Sequence, residues 1–204
     1  MHSSHISFIS HVKKECRKNG IRLLLSKKDI LRDGIHTYGG YFDEQKIAIS
    51  SGSESWVIST LVHEYCHMRQ WIDKAPEYTN INIHGGNNSI LIMNNWIEGT
   101  EYKKSTIHTA MSRNRDCELD CERRTVEAIR EFKLHIDINN YIQTANSYIL
   151  AYNYVKRVRT WNFIGSVYDK EIVSEMPTDL YSLNYNRLPN KFKKLFDRVL
   201  MRVQ

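Results

Sequence analysis

Only three prolines, Pro76, Pro177 and Pro189, occur in 204 residues, so long stretches of the chain contain nothing that breaks a helix. Four cysteines, Cys16, Cys66, Cys117 and Cys121, are too few to staple a chain of this size, and reduced thiols are the expected state. Cys117 and Cys121 stand four apart, the step of one helix face rather than the short gap of a zinc knuckle. No segment approaches the roughly 18 uninterrupted apolar residues of a membrane-spanning helix, which excludes that class. The N-terminal MHSSHISFISHVKKECRKNG carries no basic region ahead of an apolar run, so it does not read as a secretory signal. A soluble, cytoplasmic protein that does not enter a membrane is expected. Internal repeats and low-complexity segments are also lacking.

Hydrophobic residues make up 41% and charged residues 25%, close to globular averages. One domain spanning 1–204 is expected, with its core over about 20–135 and a helical part over about 136–204. The net charge of +6 is scattered along the chain, as on a solvated surface. The C-terminal PNKFKKLFDRVLMRV combines five cations with an apolar stripe of Phe192, Leu195, Phe196 and Val199. That reads as a basic amphipathic helix docking on its own domain.

Apolar spacing of Phe8, Val12 and Cys16 predicts a helix over 5–19, stopped at Gly20. IRLLL (21–25), HTYGGYFD (36–43) and KIAIS (46–50) read as strands, the last two joined by a tight turn at Asp43, Glu44 and Gln45. Ser51 followed by Glu54 resembles a capping box opening the next helix. From about residue 89 the pattern is helical, with segments over 110–133, 139–160, 169–176 and 189–202. The fold class is therefore α+β: a small antiparallel or mixed sheet, one helix after it, and a mostly helical C-terminal half.

That helix contains TLVHEYCHMRQWID, residues 60–73. His63 and His67 stand four apart, on one helix face about 6 Å from each other, where two imidazoles can aim at one tetrahedral ion. Glu64, beside the first histidine, can reach an attacking water and serve as general base. Leu61, Tyr65, Met68 and Ile72 form the core stripe, with Thr60, His63, Glu64, His67 and Trp71 on the neighbouring face.

Catalytic zinc normally takes three protein ligands. Asp73 follows the second histidine by six residues, but reaching the metal would require a helix break at the position of Gln70, and glutamine does not supply one. RDCELDCERRTVEAIREF (115–132) offers a better source. Its stripe of Cys121, Thr125, Ala128, Ile129 and Phe132 is continued toward the N-terminus by Glu118 and Glu122, and carboxylates on a buried stripe are costly unless paired or bound to a cation. Glu118 is expected as the third ligand, with Glu122 also in play for that position. Glu122 or Asp120 is otherwise expected to accept from a ligand histidine's N–H. Glu98, His84 and His108 are reserves.

His-Glu-x-x-His on a helix after a short sheet, followed by a glutamate on a later helix in an E-x-x-x-E context, resembles the glutamate-ligand (gluzincin-like) branch of the zincin metallopeptidases. The run YFDEQKIAISS, STLVHEYCHMRQW and ELDCERRTVEAI is also similar to small zincin-like proteins of bacteriophages, with a more distant likeness to ImmA-type and SprT-type proteases. The resemblance covers roughly residues 36–135. It implies a zincin-like fold, Zn2+ as cofactor, His63, His67 and Glu118 as ligands and Glu64 as catalytic base. It further implies peptide-bond hydrolysis, a protein or peptide substrate and, for a phage protein, residence in the host cytoplasm. The third histidine of SprT-type proteins and the DNA-binding partner of ImmA-type proteins have no counterpart in this chain. KIAIS would then be the edge strand pairing with an extended peptide, and Tyr102, His108 and Tyr152 are candidates for oxyanion support. The competing reading is a zincin-shaped binding module without useful hydrolysis, engaging a host protein or nucleic acid through its basic surface; a third is a zinc hydrolase of non-peptide amides or esters.

Overall fold

The computed structural model describes residues 1–33, 36–83 and 87–200. The chain divides into two compact units, one of Met1–Tyr78 with Cys121–Asp137, the other of Thr79–Asp120 with Ile138–Gln204. The architecture is mixed α+β and mostly helical, as the sequence pattern implies.

In the first unit α1 (Ser3–Lys18) buries Phe8, Ile9, Val12 and Cys16 along one stripe and ends at Asn19, followed by Gly20 at φ 70°. The left-handed φ favours glycine there, and the chain reverses directly into β1 (Arg22–Leu25). Two short strands, β2 (Leu31–Asp33) and β3 (His36–Tyr38), form their own antiparallel pair. β4 (Gly40–Phe42) and β5 (Lys46–Ile49) follow, turning through Asp43–Gln45 with Glu44 at φ 67°.

The three-stranded sheet has the order β1-β5-β4, with β1 parallel and β4 antiparallel to β5. KIAIS is therefore the central strand rather than the expected edge. Its Ile47, Ala48 and Ile49 are all buried, a run with no polar alternation, which is the mark of a strand covered on both faces.

Against β4 and β5 lies α2 (Glu54–Ile72), the helix of the His-Glu-x-x-His motif. Its N-cap is Ser53, whose hydroxyl accepts from the Trp56 N–H, while Ser51 donates instead to Asp29. The capping-box pairing of Ser51 with Glu54 is thus replaced: Glu54 lies in the first turn and binds the ring of His5 at 2.6 Å. Close approach of α2 to the sheet demands the glycine pair at the start of β4. A Cβ on Gly40 would stand 2.5 Å from Thr60 Cγ2, and one on Gly39 2.6 Å from the Trp56 ring. On the other side α1 packs against α2, with Phe8 edge-on to Tyr65 and Cys16 Sγ 3.8 Å from Met68 Sδ. Fully buried Phe8, Leu61 and Met68 each contribute about 1.5–3 kcal/mol of apolar burial.

A short helix α3 (Pro76–Thr79) and a two-stranded ladder, β6 (Asn82–Ile83) with β7 (Asn87–Asn88), lead into α4 (Ser89–Ile97). α5 (Lys104–Glu131) begins six residues before its expected start. It is followed by α6 (Ile138–Val158), a 3-10 turn (Ile164–Tyr168), α7 (Lys170–Val173) and α8 (Asn190–Leu200). In the second unit α6 and α8 share a core in which Tyr154 meets Phe163 and Phe196 edge-on. The apolar stripe of α8, Phe192, Leu195, Phe196 and Val199, is buried in that core. No described helix is long and apolar enough to cross a membrane.

Candidate metal centre

A spacing of four residues, close to one helical turn, brings His63 and His67 together on α2, their rings 4.7 Å apart and nearly perpendicular at 86°. Each Nδ1 faces an oxygen from a buried side chain. His67 Nδ1 is 2.8 Å from Gln70 Oε1, and His63 Nδ1 is 3.3 Å from Glu122 Oε1 on α5. An amide oxygen only accepts, and a carboxylate accepts most strongly from N–H, so both contacts place the proton on Nδ1. The lone pair of each neutral imidazole is then on Nε2, the arrangement that carboxylate or carbonyl partners impose on metal-ligating histidines. Glu64 is buried on the same helix.

α5 supplies the facing side chains. Cys121, Thr125, Ala128 and Ile129 are buried as the apolar stripe requires, and Glu122 is buried with them. Because α5 starts at Lys104, Glu118 and Glu122 lie in its interior rather than at a fraying end. Cys121 donates its thiol to the His63 carbonyl at 3.3 Å, and its Sγ is 3.7 Å from His63 Nδ1. Cys66, one residue before His67, is pushed up to about 12 by burial, reinforced by the neighbouring Cys121.

Among the described residues His63, His67 and Cys121 form a group whose ligand atoms all lie within 4.8 Å of one another, and this group can hold a metal ion. Two imidazoles and a sulfur are donors that suit a borderline-soft divalent ion. Two carboxyl groups, Glu64 and Glu122, are buried close by, the second against the His63 ring. The residues present therefore fit a divalent metal.

The other sequence candidates sit as follows. Glu118 is half-buried on the stretch of α5 that belongs to the second unit. There burial, with the Glu118 charge next, raises the Tyr148 phenol well above its usual range. Glu122 occupies the place expected of an acceptor for a ligand histidine. Asp120 is half-buried one residue before Cys121. Asp73 caps the C-terminus of α2 and pairs with Arg69 at 3.0 Å and Arg124 at 3.1 Å.

In the second unit Glu98 is exposed at the C-cap of α4, and His108 is bonded to Lys156. Tyr102 accepts from Asn95, and Tyr152 is 3.3 Å from the Tyr148 hydroxyl. His84 lies outside the described residues.

Two participants escaped the sequence reading. Cys121 reads in the sequence as a position on the buried stripe beside Glu122, and which element that stripe faces is not a local property. Gln70 stands three residues after His67, the spacing at which two side chains meet on one helix face. No protein-family model, curated protein or solved structure matches this chain.

Proposed function

We propose that the chain is a zinc-dependent metallopeptidase in which His63 and His67 bind the metal through Nε2, Glu118 completes the ligand set and Glu64 is the general base. The observation that carries this reading is the matched pair of clamps on the histidines, Gln70 on His67 and Glu122 on His63. What supports a metal is that both rings meet their partner at Nδ1, which leaves both Nε2 lone pairs for coordination. Glu118 comes from the sequence pattern and from the resemblance to glutamate-ligand zincins.

Zinc, when bound, supplies a Lewis acid that polarises a carbonyl and eases the ionisation of water. The protein's own contribution follows from its side chains. Gln70 and Glu122 hold the imidazoles in one tautomer and one orientation, so no ordering of the ligands is left to the reaction itself. The Glu64 carboxylate takes a proton from the attacking water and delivers it to the departing amine, which leaves neutral. Since β5 is central, the strand that receives an extended peptide is β4, the sheet edge packed on α2.

A second reading of the ligand set is favoured by one observation, the approach of Cys121 to the two histidines within 4.8 Å. In it the thiolate of Cys121 takes the third position in place of Glu118.

The experiment is a comparison of the purified protein with Glu64→Gln. Both are expected to hold one zinc per chain, while cleavage of a denatured protein mixture falls by about 10²–10⁴-fold in the variant, the usual worth of a positioned acid–base group. Equal cleavage by the two proteins, or absence of stoichiometric zinc from both, overturns the proposal.

A further inference from the structure

The edge of the sheet opposite β4 carries a second binding feature, unrelated to the histidines. β1 pairs only with β5 among the described residues. Arg22 N–H donates to Gln45 O at 2.9 Å and Ser26 N–H to Ile49 O at 2.8 Å, both toward β5. Strand groups alternate in direction, so the N–H and C=O of Leu23 and Leu25 point the other way, along the outer edge. An edge of this kind is a template for another strand, and proteins usually blunt it with charge of one sign or cover it. Here it presents two leucines beside Arg22, Leu24 at 49% and Leu25 at 40% exposure.

Next to that edge, where α1 turns back into β1, lies a trough of about 610 Å³ lined by Lys13, Cys16, Arg17, Ile21, Arg22, Leu23, Leu24 and Lys46. Its floor is apolar and its rim is four cations. Lys13 and Arg17 are one helical turn apart on α1, and Arg22 and Lys46 are register partners on β1 and β5. Lys46 is partly compensated by Asp43 at 3.4 Å. Lys13, Arg17 and Arg22 enter no ion pair among the described residues, because the one acid nearby on α1, Glu15, turns to Arg69.

We propose that this edge and trough form a docking site for an extended, acidic peptide segment that adds to β1 as a fourth strand. Backbone pairing along Leu23 and Leu25 supplies the register, alternate apolar side chains seat on Leu24 and the trough floor, and acidic side chains meet Lys13, Arg17 and Arg22. The bare edge favours a peptide over a nucleic acid, since a phosphodiester backbone has no N–H to pair with strand carbonyls. The site is at the far edge of the sheet from β4, so its occupant is not the segment being cleaved. The inference stands independently of the proposed hydrolysis.

The test measures fluorescence anisotropy of the full chain with three labelled probes: a ten-residue peptide alternating Glu and Leu, the same peptide N-methylated on its backbone amides, and a ten-nucleotide oligothymidylate. The first is expected to bind with an affinity that falls as salt rises. The N-methylated peptide should bind at least about tenfold more weakly, because it keeps every charge and loses the strand donors. The Arg17→Glu/Arg22→Glu double variant should weaken the first probe by about tenfold or more.

Binding should persist with chelator present and in Glu64→Gln, so loss of the metal reading leaves this one intact. Equal affinity for the methylated peptide overturns the proposal even if the double variant fails to fold. Tighter binding of the oligothymidylate than of the peptide overturns it in favour of a nucleic-acid surface.

Discussion

Replacement of Gln70 by leucine isolates the clamp on His67. Gln70 is fully buried and its Oε1 receives the His67 Nδ1–H at 2.8 Å. Leucine has nearly the same volume, so the change leaves little cavity while removing the acceptor. Water cannot replace the lost partner at a fully buried position, and the imidazole is released to rotate or to move its proton onto Nε2, where it blocks coordination. Loss of such an outer contact lowers metal affinity by about 10–100-fold, or about 1.4–2.7 kcal/mol. Zinc affinity measured by competition with a chromophoric chelator checks this, with thermal melting of the metal-free protein as the control for folding. Gln70→Glu supplies a stronger, charge-assisted acceptor at the same place and should bind zinc at least as tightly as the parent. A folded Gln70→Leu with unchanged affinity, or a Gln70→Glu that behaves like the leucine variant, refutes the clamp.

Cobalt separates the two ligand sets: if Glu118 is the third ligand, the cobalt-loaded protein lacks a near-ultraviolet sulfur-to-metal charge-transfer band, and Glu118→Gln weakens binding more than Cys121→Ser does. A band that disappears in Cys121→Ser assigns the position to the thiolate. Glu54 gives a pH signature, because its carboxyl is held down to about 2, chiefly by the His2 N–H and then by the His5 ring. A carboxyl depressed below its ordinary 4.5 contributes stability that is complete above about pH 4.5 and lost as pH falls toward about 2. The melting-temperature advantage of the parent over Glu54→Gln should therefore shrink across that interval, and an advantage independent of pH refutes the assignment.

Local signals decided which parts of this molecule were legible in advance. α1, its stop at Gly20 and the helix carrying His63 and His67 follow from apolar spacing and a single residue at φ 70°, both properties of neighbouring positions. Strand neighbours are not local properties. Arg22–Leu25 reads as a strand, but nothing in RLLL says that it lies parallel to KIAI, twenty residues on, and that pairing is what moves KIAIS from edge to centre. The helix cap failed for a related reason: Ser51 and Ser53 carry the same hydroxyl, and the choice between them rests on Asp29, which takes Ser51 from a distant loop.

The candidate metal centre divides along the same line. His63, Glu64 and His67 are fixed relative to one another by one helix, and Glu122 was legible because a carboxylate on a buried stripe demands a partner. The angular position of that stripe against α2 is tertiary, and it decides that Cys121 faces the His63 carbonyl while Glu122 faces its ring. Gln70 shows the limit most plainly. The helix runs unbroken past it to Ile72, leaving Asp73 at the C-cap, and the same unbroken helix carries its amide to within 2.8 Å of His67. The residue that leaves Asp73 out of reach is, by its spacing of three, the one whose amide oxygen meets the His67 ring.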